Sequence, residues 1–278
     1  SRSTKKENLL FCIVSTLIST FGILLILKSN GFYPFKEVTL FTFDMKEQYL
    51  PFFSSLHYLI GGDDSIFFHW SKSLGGNYIG LYAYYLASPF MLILVLLPRT
   101  MMATSILILQ LAKIGTAAVT FMFFLKKISV QKPKTISLII FPTMYALMSY
   151  MVVQLMDPMW LDGLIYLPLI CWGVHRLVDE GKLAPYILPL ALMFIAHFYI
   201  GYMVGIFTFF YFCWYCLSRE GRILPKKFFS RCVAFGIGTL VALMCAAFVL
   251  IPVYNSLKLG KFEFTDPDFS LATQFDFL

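Results

Sequence analysis

Seven stretches of the chain are apolar along nearly their whole length: 9–27, 103–125, 135–152, 163–178, 183–198, 199–217 and 231–252. About 20 apolar residues in helical form cross a bilayer, and fewer suffice where the bilayer thins. The polar breaks carry runs of positive charge: Lys126-Lys127 through Lys134, His175-Arg176 through Lys182, and Arg219 through Arg231. Lys5-Lys6 precede the first run, and no small-x-small cleavage pattern follows it, so 9–27 reads as an uncleaved span. Positive charge collects on the cytoplasmic side. All four clusters share that side if seven segments cross. The breaks 28–102 and 153–162, the tip near 197–201 and the tail from 253 then face outward.

One apolar stretch does not fit this parity. If Leu81–Leu97 crossed, every later basic cluster would change sides. Pro89 in its middle and Pro98 at its end predict a broken helix that dips into the outer leaflet or lies along it.

Composition agrees with a membrane protein. Hydrophobic residues make up 59% of the chain and charged residues 13%, with a mean hydropathy of +0.77. The excess of 22 Lys and Arg over 15 Asp and Glu lies in the short breaks, as topology signals do, and does not point to nucleic acid. The cysteines Cys12, Cys171, Cys213, Cys216, Cys232 and Cys245 all lie in apolar segments, which argues against a disulfide framework. Cys213-x-x-Cys216 has redox spacing but sits among Phe212, Trp214 and Tyr215, where packing is the simpler reading. Gly201-x-x-x-Gly205 and Gly236-x-Gly238 allow close helix approach.

Candidate chemistry gathers in the breaks expected to face outward. Asp44 opens the run Asp44-Met45-Lys46-Glu47-Gln48-Tyr49, where Gln48 falls one helical turn later on the same face and Tyr49 stands beside it. A carboxylate, an amide and a phenol then share a corner at the membrane surface. Asp44-x-x-Glu47 is also a capping box, which by itself accounts for an Asp here. Lys113 stands within a span, roughly 20 Å along the helix from Lys126 at 1.5 Å per residue. A cation there either holds a lipid phosphate or snorkels to the surface. Asp157 and Asp162 bracket Pro158 in the second outer break, where a solvated turn is the alternative and, for Asp162, the favoured one. His197, between aromatics, reads first as a packed residue. Lys72 follows Trp70 in the large loop. No nucleotide-binding glycine loop, metal-ligand triplet or nucleophile elbow is present.

The runs Asp44…Gln48-Tyr49…Phe52-Phe53, Trp70-Ser71…Leu74-Gly75-Gly76-Asn77, Tyr84-Tyr85…Ser88-Pro89, Lys113, and Phe198-Tyr199-Ile200-Gly201-Tyr202-Met203 keep an order and spacing that resembles the YfhO family of bacterial membrane proteins, within the GT-C glycosyltransferases. The resemblance spans nearly the whole chain. It implies an all-α integral membrane protein with a GT-C-like module of about seven transmembrane helices. The module has a large first extracytoplasmic loop, 28–102, carrying membrane-surface helices and a catalytic Asp near its start. It further implies transfer of a sugar from a polyprenyl-phosphate carrier to a cell-surface polymer such as lipoteichoic or teichoic acid.

On that expectation Asp44 is the general base, and Gln48, Tyr49, Lys72, Lys113, Asp157 and His197 bind substrate. Lys113, Lys72 and His197 would face the departing phosphate, and Asp157 would orient the acceptor or support a divalent metal, whose site two or three carboxylates do not define. The partners expected are membrane lipid, the polyprenyl-linked donor and the polymer acceptor, with no nucleic acid. The location expected is the bacterial cell membrane, with the active site outside. The module is expected to end near 252, with 253–278 starting an extracytoplasmic region. A lipid-linked sugar flippase, or a non-catalytic envelope scaffold, are the rival readings.

Overall fold

The computed structural model describes residues 2–62, 65–70, 75–129, 131, 133–219 and 225–260, with side chains described from 9 to 258 within those ranges apart from 225–226. The fold is all-α. Its long helices are α1 (Arg2–Ser29), α2 (Leu50–Gly61), α3 (Met102–Ile128), α4 (Ser137–Ala146), α5 (Leu161–Glu180), α6 (Ala184–Ala196), α7 (Phe198–Arg219), α8 (Pro225–Cys245) and α9 (Ala247–Gly260). The β structure among the described residues is a two-residue antiparallel ladder, Phe68–His69 against Gly76–Asn77, and an isolated parallel bridge between Phe32 and Val38.

Among the described residues, five helical stretches are long and apolar enough to cross a membrane: Leu9–Ser29, Arg99–Ile128, Pro158–Glu180, Phe198–Arg219 and Lys227–Cys245. Two expected spans form shorter apolar helices, α4 and α6. The run 135–152 divides because α4 ends at Ala146 and a separate turn, Ser149–Val153, follows it. The boundary expected at 252 falls inside α9, and 261–278, with Asp266, Asp268 and Asp276, lies outside the described residues.

The apolar stretch 81–97 is divided among short pieces, none long enough to cross. A π-helical turn, Tyr82–Leu86, gives way to a 3-10 turn at Pro89–Met91 and a single α turn at Leu92–Val95. Pro89 forces the break: Ser88 before it is extended (ψ 133°), and Pro then opens the next turn.

Three hydrophobic clusters hold the molecule. One joins α5, α6, α7 and α8 through Ile170, Val174, Leu190, Phe212 and Ala242. A second joins α1, α3 and α5 through Ile23, Ile114, Ala118 and Ile165. The third packs the broken 45–95 segment on α3 through Met45, Phe53, Leu86, Leu94 and Leu109. The close pairing of α5 with α6 depends on Gly173, where an added Cβ would lie 2.4 Å from the Pro185 carbonyl oxygen. The hairpin between them is closed by Gly181 in the left-handed region (φ 66°), where its N–H and that of Lys182 cap the last carbonyls of α5. Of the glycine pairs, Gly201 and Gly205 both face Phe194, whereas Gly238 meets Tyr186 and Gly236 meets nothing. All six cysteines are free thiols, including Cys213 and Cys216.

Candidate functional site

A cavity of about 290 Å³ opens beside the N-terminal end of α5. Asp44, Gln48 and Tyr49 form one wall, Tyr84 and Tyr85 a second, and Gln154, Asp157, Met159 and Trp160 a third. Three sequence-distant segments therefore converge on it.

Local backbone explains how they do so. Met45–Tyr49 is a π-helical turn whose closing bond runs from the Leu50 N–H to the Met45 carbonyl. Tyr82–Leu86 is a second such turn. A wider turn sets consecutive residues closer together around the axis, so the neighbours Gln48 and Tyr49 both reach the cavity, as do Tyr84 and Tyr85. Just before the first turn, Phe43 sits in the left-handed region (φ 48°) with 82% of its surface exposed. This conformation costs a bulky aromatic on the order of 1–3 kcal/mol. The turn it starts is held by its own carbonyl, which accepts the Lys46 and Glu47 N–H groups at 3.0 and 3.1 Å.

Asp44 stands at the N-cap position, but its carboxylate makes no capping bond. It accepts instead from Gln48 Nε2 at 3.0 Å, and Gln48 Oε1 accepts from the Tyr85 hydroxyl at 2.6 Å. Asp157 is half-buried and takes a hydrogen bond from Tyr49. Burial pushes the Asp157 carboxyl above the usual carboxylate range; the Tyr49 bond pulls it down, and the charge of Asp44 pushes it further up. The Tyr85 phenol is pushed up to about 12 by burial and by Tyr84, Asp44 and Asp157. Tyr49 is raised as well, by burial first and then by Asp157. At neutral pH these phenols keep their protons and remain donors. Ring contacts brace the walls: Tyr49–Tyr85 at 5.3 Å edge-on, Tyr84–Tyr85 at 4.9 Å and Phe52–Tyr85 at 4.6 Å. Such pairs contribute about 0.5–1.5 kcal/mol each.

Four of the expected site residues, Asp44, Gln48, Tyr49 and Asp157, thus line one cavity. The others do not. Lys113 is fully buried: its ammonium lies 2.6 Å from Asp162 Oδ2 and donates to the Pro158 carbonyl at 2.9 Å. The expectation that it meets a lipid phosphate is corrected by this geometry, since its charge is already matched and no surface reaches it. Asp162 is corrected with it. The residue is 0% exposed rather than part of a solvated turn, and its second oxygen accepts from Ser88 Oγ at 2.9 Å. His197 is buried behind the cavity wall, with Tyr84 at 4.9 Å and Trp160 at 6.4 Å between ring centres. Its Nδ1 accepts the Ile200 N–H, and its buried Nε2 has no partner. Lys72 lies outside the described residues.

Sequence reading did not assign Tyr84, Tyr85, Gln154 or Trp160 to the site. Pairing the lone intramembrane cation with the carboxylate that opens a neighbouring span would have found Lys113–Asp162, because a buried charge needs an opposite charge. Among the described residues no group of three or more His, Cys, Asp or Glu is placed to hold a metal ion.

No curated protein and no solved structure matches the chain. The sequence pattern of the family described as bacterial membrane protein YfhO does match it, over residues 15–278. With apolar helices long enough to cross a membrane, the chain belongs to the YfhO family of bacterial membrane proteins.

Proposed function

We infer that this chain is the membrane module of an inverting glycosyltransferase of the GT-C type, with seven spans and its cavity on the outer face of the cell membrane. The observation that carries this reading is the meeting of Asp44 and Asp157 in one cavity with no cation paired to either among the described residues. An unpaired carboxylate at a membrane surface is free to take a proton.

Asp44 accepts the proton of an acceptor hydroxyl as that oxygen attacks the anomeric carbon. The bond from that carbon to the lipid phosphate breaks, and the phosphate leaves with the electron pair. A carboxylate is too weak a base to deprotonate the hydroxyl beforehand, so proton transfer and attack are concerted. Gln48 fixes the Asp44 carboxylate through its 3.0 Å bond. Asp157 and Tyr49 orient the acceptor, and Lys72 remains the candidate for the departing phosphate.

A second, more apolar groove of about 460 Å³ supports a lipid-borne donor. Leu50, Phe52 and Leu81 line it, with Lys46 and Arg99 on its wall, and Phe52 packs on Tyr85 of the Asp44 cavity. An isoprenoid tail fits such a groove, and its phosphate would meet cations there. The donor is a polyprenyl-phosphate sugar, and the acceptor is a cell-surface polymer such as lipoteichoic or teichoic acid.

The test incubates the full-length protein in liposomes with a panel of polyprenyl-phosphate sugars and teichoic acids and reads glycosylated polymer by mass spectrometry. Product from the parent protein and none from Asp44→Asn is the expected result. Near-normal transfer by Asp44→Asn would reject its role. Movement of labelled donor between leaflets with no transfer for any pair would favour the flippase reading instead.

A further inference from the structure

A second polar cavity, of about 350 Å³, lies toward the C-terminal end of α5. Lys127 of α3 lines it, together with His175, Arg176, Asp179 and Glu180 of α5 and Arg219 of α7. The permanent charges on this wall do not balance. Asp179 accepts from Arg219 Nη2 at 2.9 Å, and Glu180 pairs with both Arg176 and Lys182. Lys127 has no carboxylate among the described residues; its ammonium lies over the Phe123 ring, 5.5 Å from the centroid. Arg176 in addition keeps a buried Nε–H without an acceptor. A cavity lined by three cations and two carboxylates, with Lys127 unmatched, suits a ligand with several acceptor oxygens and negative charge.

The surroundings say what carries those oxygens. His175 Nε2 is hydrogen-bonded to the Tyr211 hydroxyl at 2.7 Å. From Tyr211 an aromatic stripe continues on α7, with Phe207 at 5.9 Å on one side and Trp214 at 5.5 Å on the other. Phe207 and Trp214 are 47% and 59% exposed on a helix apolar enough to cross the membrane, so they face hydrocarbon. A basic pocket between transmembrane helices, opening beside an apolar track, suits a lipid headgroup. Phosphate oxygens bind arginine and lysine donors with charge-assisted hydrogen bonds.

The geometry points to a binding site for an anionic phospholipid at this end of the bundle. Its phosphate bonds to Lys127 Nζ and to the Arg176 guanidinium, and its acyl chain lies along Phe207, Tyr211 and Trp214. The site is separate from the Asp44 cavity and stands whether or not sugar transfer occurs there.

Native mass spectrometry of the full-length protein, equilibrated with equimolar phosphatidylglycerol and phosphatidylcholine, tests it. Retention of phosphatidylglycerol over phosphatidylcholine is expected. Lys127→Ala and Arg176→Gln should each weaken it by about fivefold, the effect of one basic residue at a membrane surface. Lys36→Ala, which removes the same charge at an exposed distant position, should leave retention unchanged. Lys127 makes no ion pair among the described residues, so Lys127→Ala reads binding even if Arg176→Gln unfolds. Equal retention of the two lipids, an unaffected Lys127→Ala, or an equal loss in Lys36→Ala would each overturn the site. Displacement of the lipid by soluble glycerol phosphate would do so too, by showing a free-anion site.

Discussion

The two ends of α5 use the same side chains, carboxylates among tyrosines and tryptophan, and treat the carboxylates in opposite ways. At the N-terminal end, Asp44 and Asp157 receive hydrogen bonds from an amide and a phenol, and the charge of one pushes up the carboxyl of the other. At the C-terminal end, Asp179 and Glu180 each face an arginine. Trp160 and Asp179 are separated by about 28 Å of helix at 1.5 Å per residue, close to the hydrocarbon thickness of a bilayer. A carboxylate matched by a cation has little reason to take a proton, whereas an unmatched one keeps that capacity. On the proposed reading, chemistry belongs at the first end and attachment at the second. Between them, Lys113 and Asp162 match each other so closely that neither is available to a substrate.

The largest disturbance to this contrast is expected in the middle. Lys113→Met leaves Asp162 buried without its counter-ion, which should cost about 3–5 kcal/mol, read as a lower unfolding temperature in detergent. The double variant Lys113→Met/Asp162→Leu should recover most of that loss. Additive losses would show that the pair is not coupled.

Next come the unmatched carboxylates. Asp44→Asn should lower transfer by about 10²–10⁴-fold, the range for a general base, with Asp157→Asn reducing it less. Equal losses in single and double variants would mean the two act as one unit. Tyr49→Phe probes finer tuning. Removing its hydrogen bond raises the Asp157 carboxyl further, so the acid limb of the pH–rate profile should move to higher pH. Asp44→Asn removes a repelling charge and should move the Asp157 carboxylate band in infrared titration to lower pH. A limb that stays in place in Tyr49→Phe would detach Asp157 from the reaction. The smallest effect is expected at the other end. Arg219→Gln breaks a pair that is about half exposed, where the expected loss of stability is only about 0–1 kcal/mol, measured by the same thermal unfolding.

Much of this arrangement was legible in the sequence. The apolar runs became helices, and Pro89 marked the break in the 81–97 stretch because it restricts the residue before it. The shared face of Asp44 and Gln48 followed from their spacing of four, and the two do bond. The capping box at Asp44 was misleading, because the bond to Gln48 takes the place of a capping bond. The π-helical turns left no mark, since a single widened turn in an aromatic segment changes no readable period. With them went the assignment of Tyr84 and Tyr85. The Lys113–Asp162 pair was missed for another reason: its members lie on different helices, and no local pattern joins residues so distant in the chain.

The bond from Ser88 to Asp162 has a mechanical consequence. It ties the broken 82–91 segment, through one hydroxyl, to an ion pair sealed inside the bundle. Lifting the 82–91 stretch would strip a donor from a buried anion, so that stretch is a fixed jamb rather than a swinging door. Any widening of the cavity must then come from the opposite side of the doorway, where strained Phe43 begins the arm that bears Asp44.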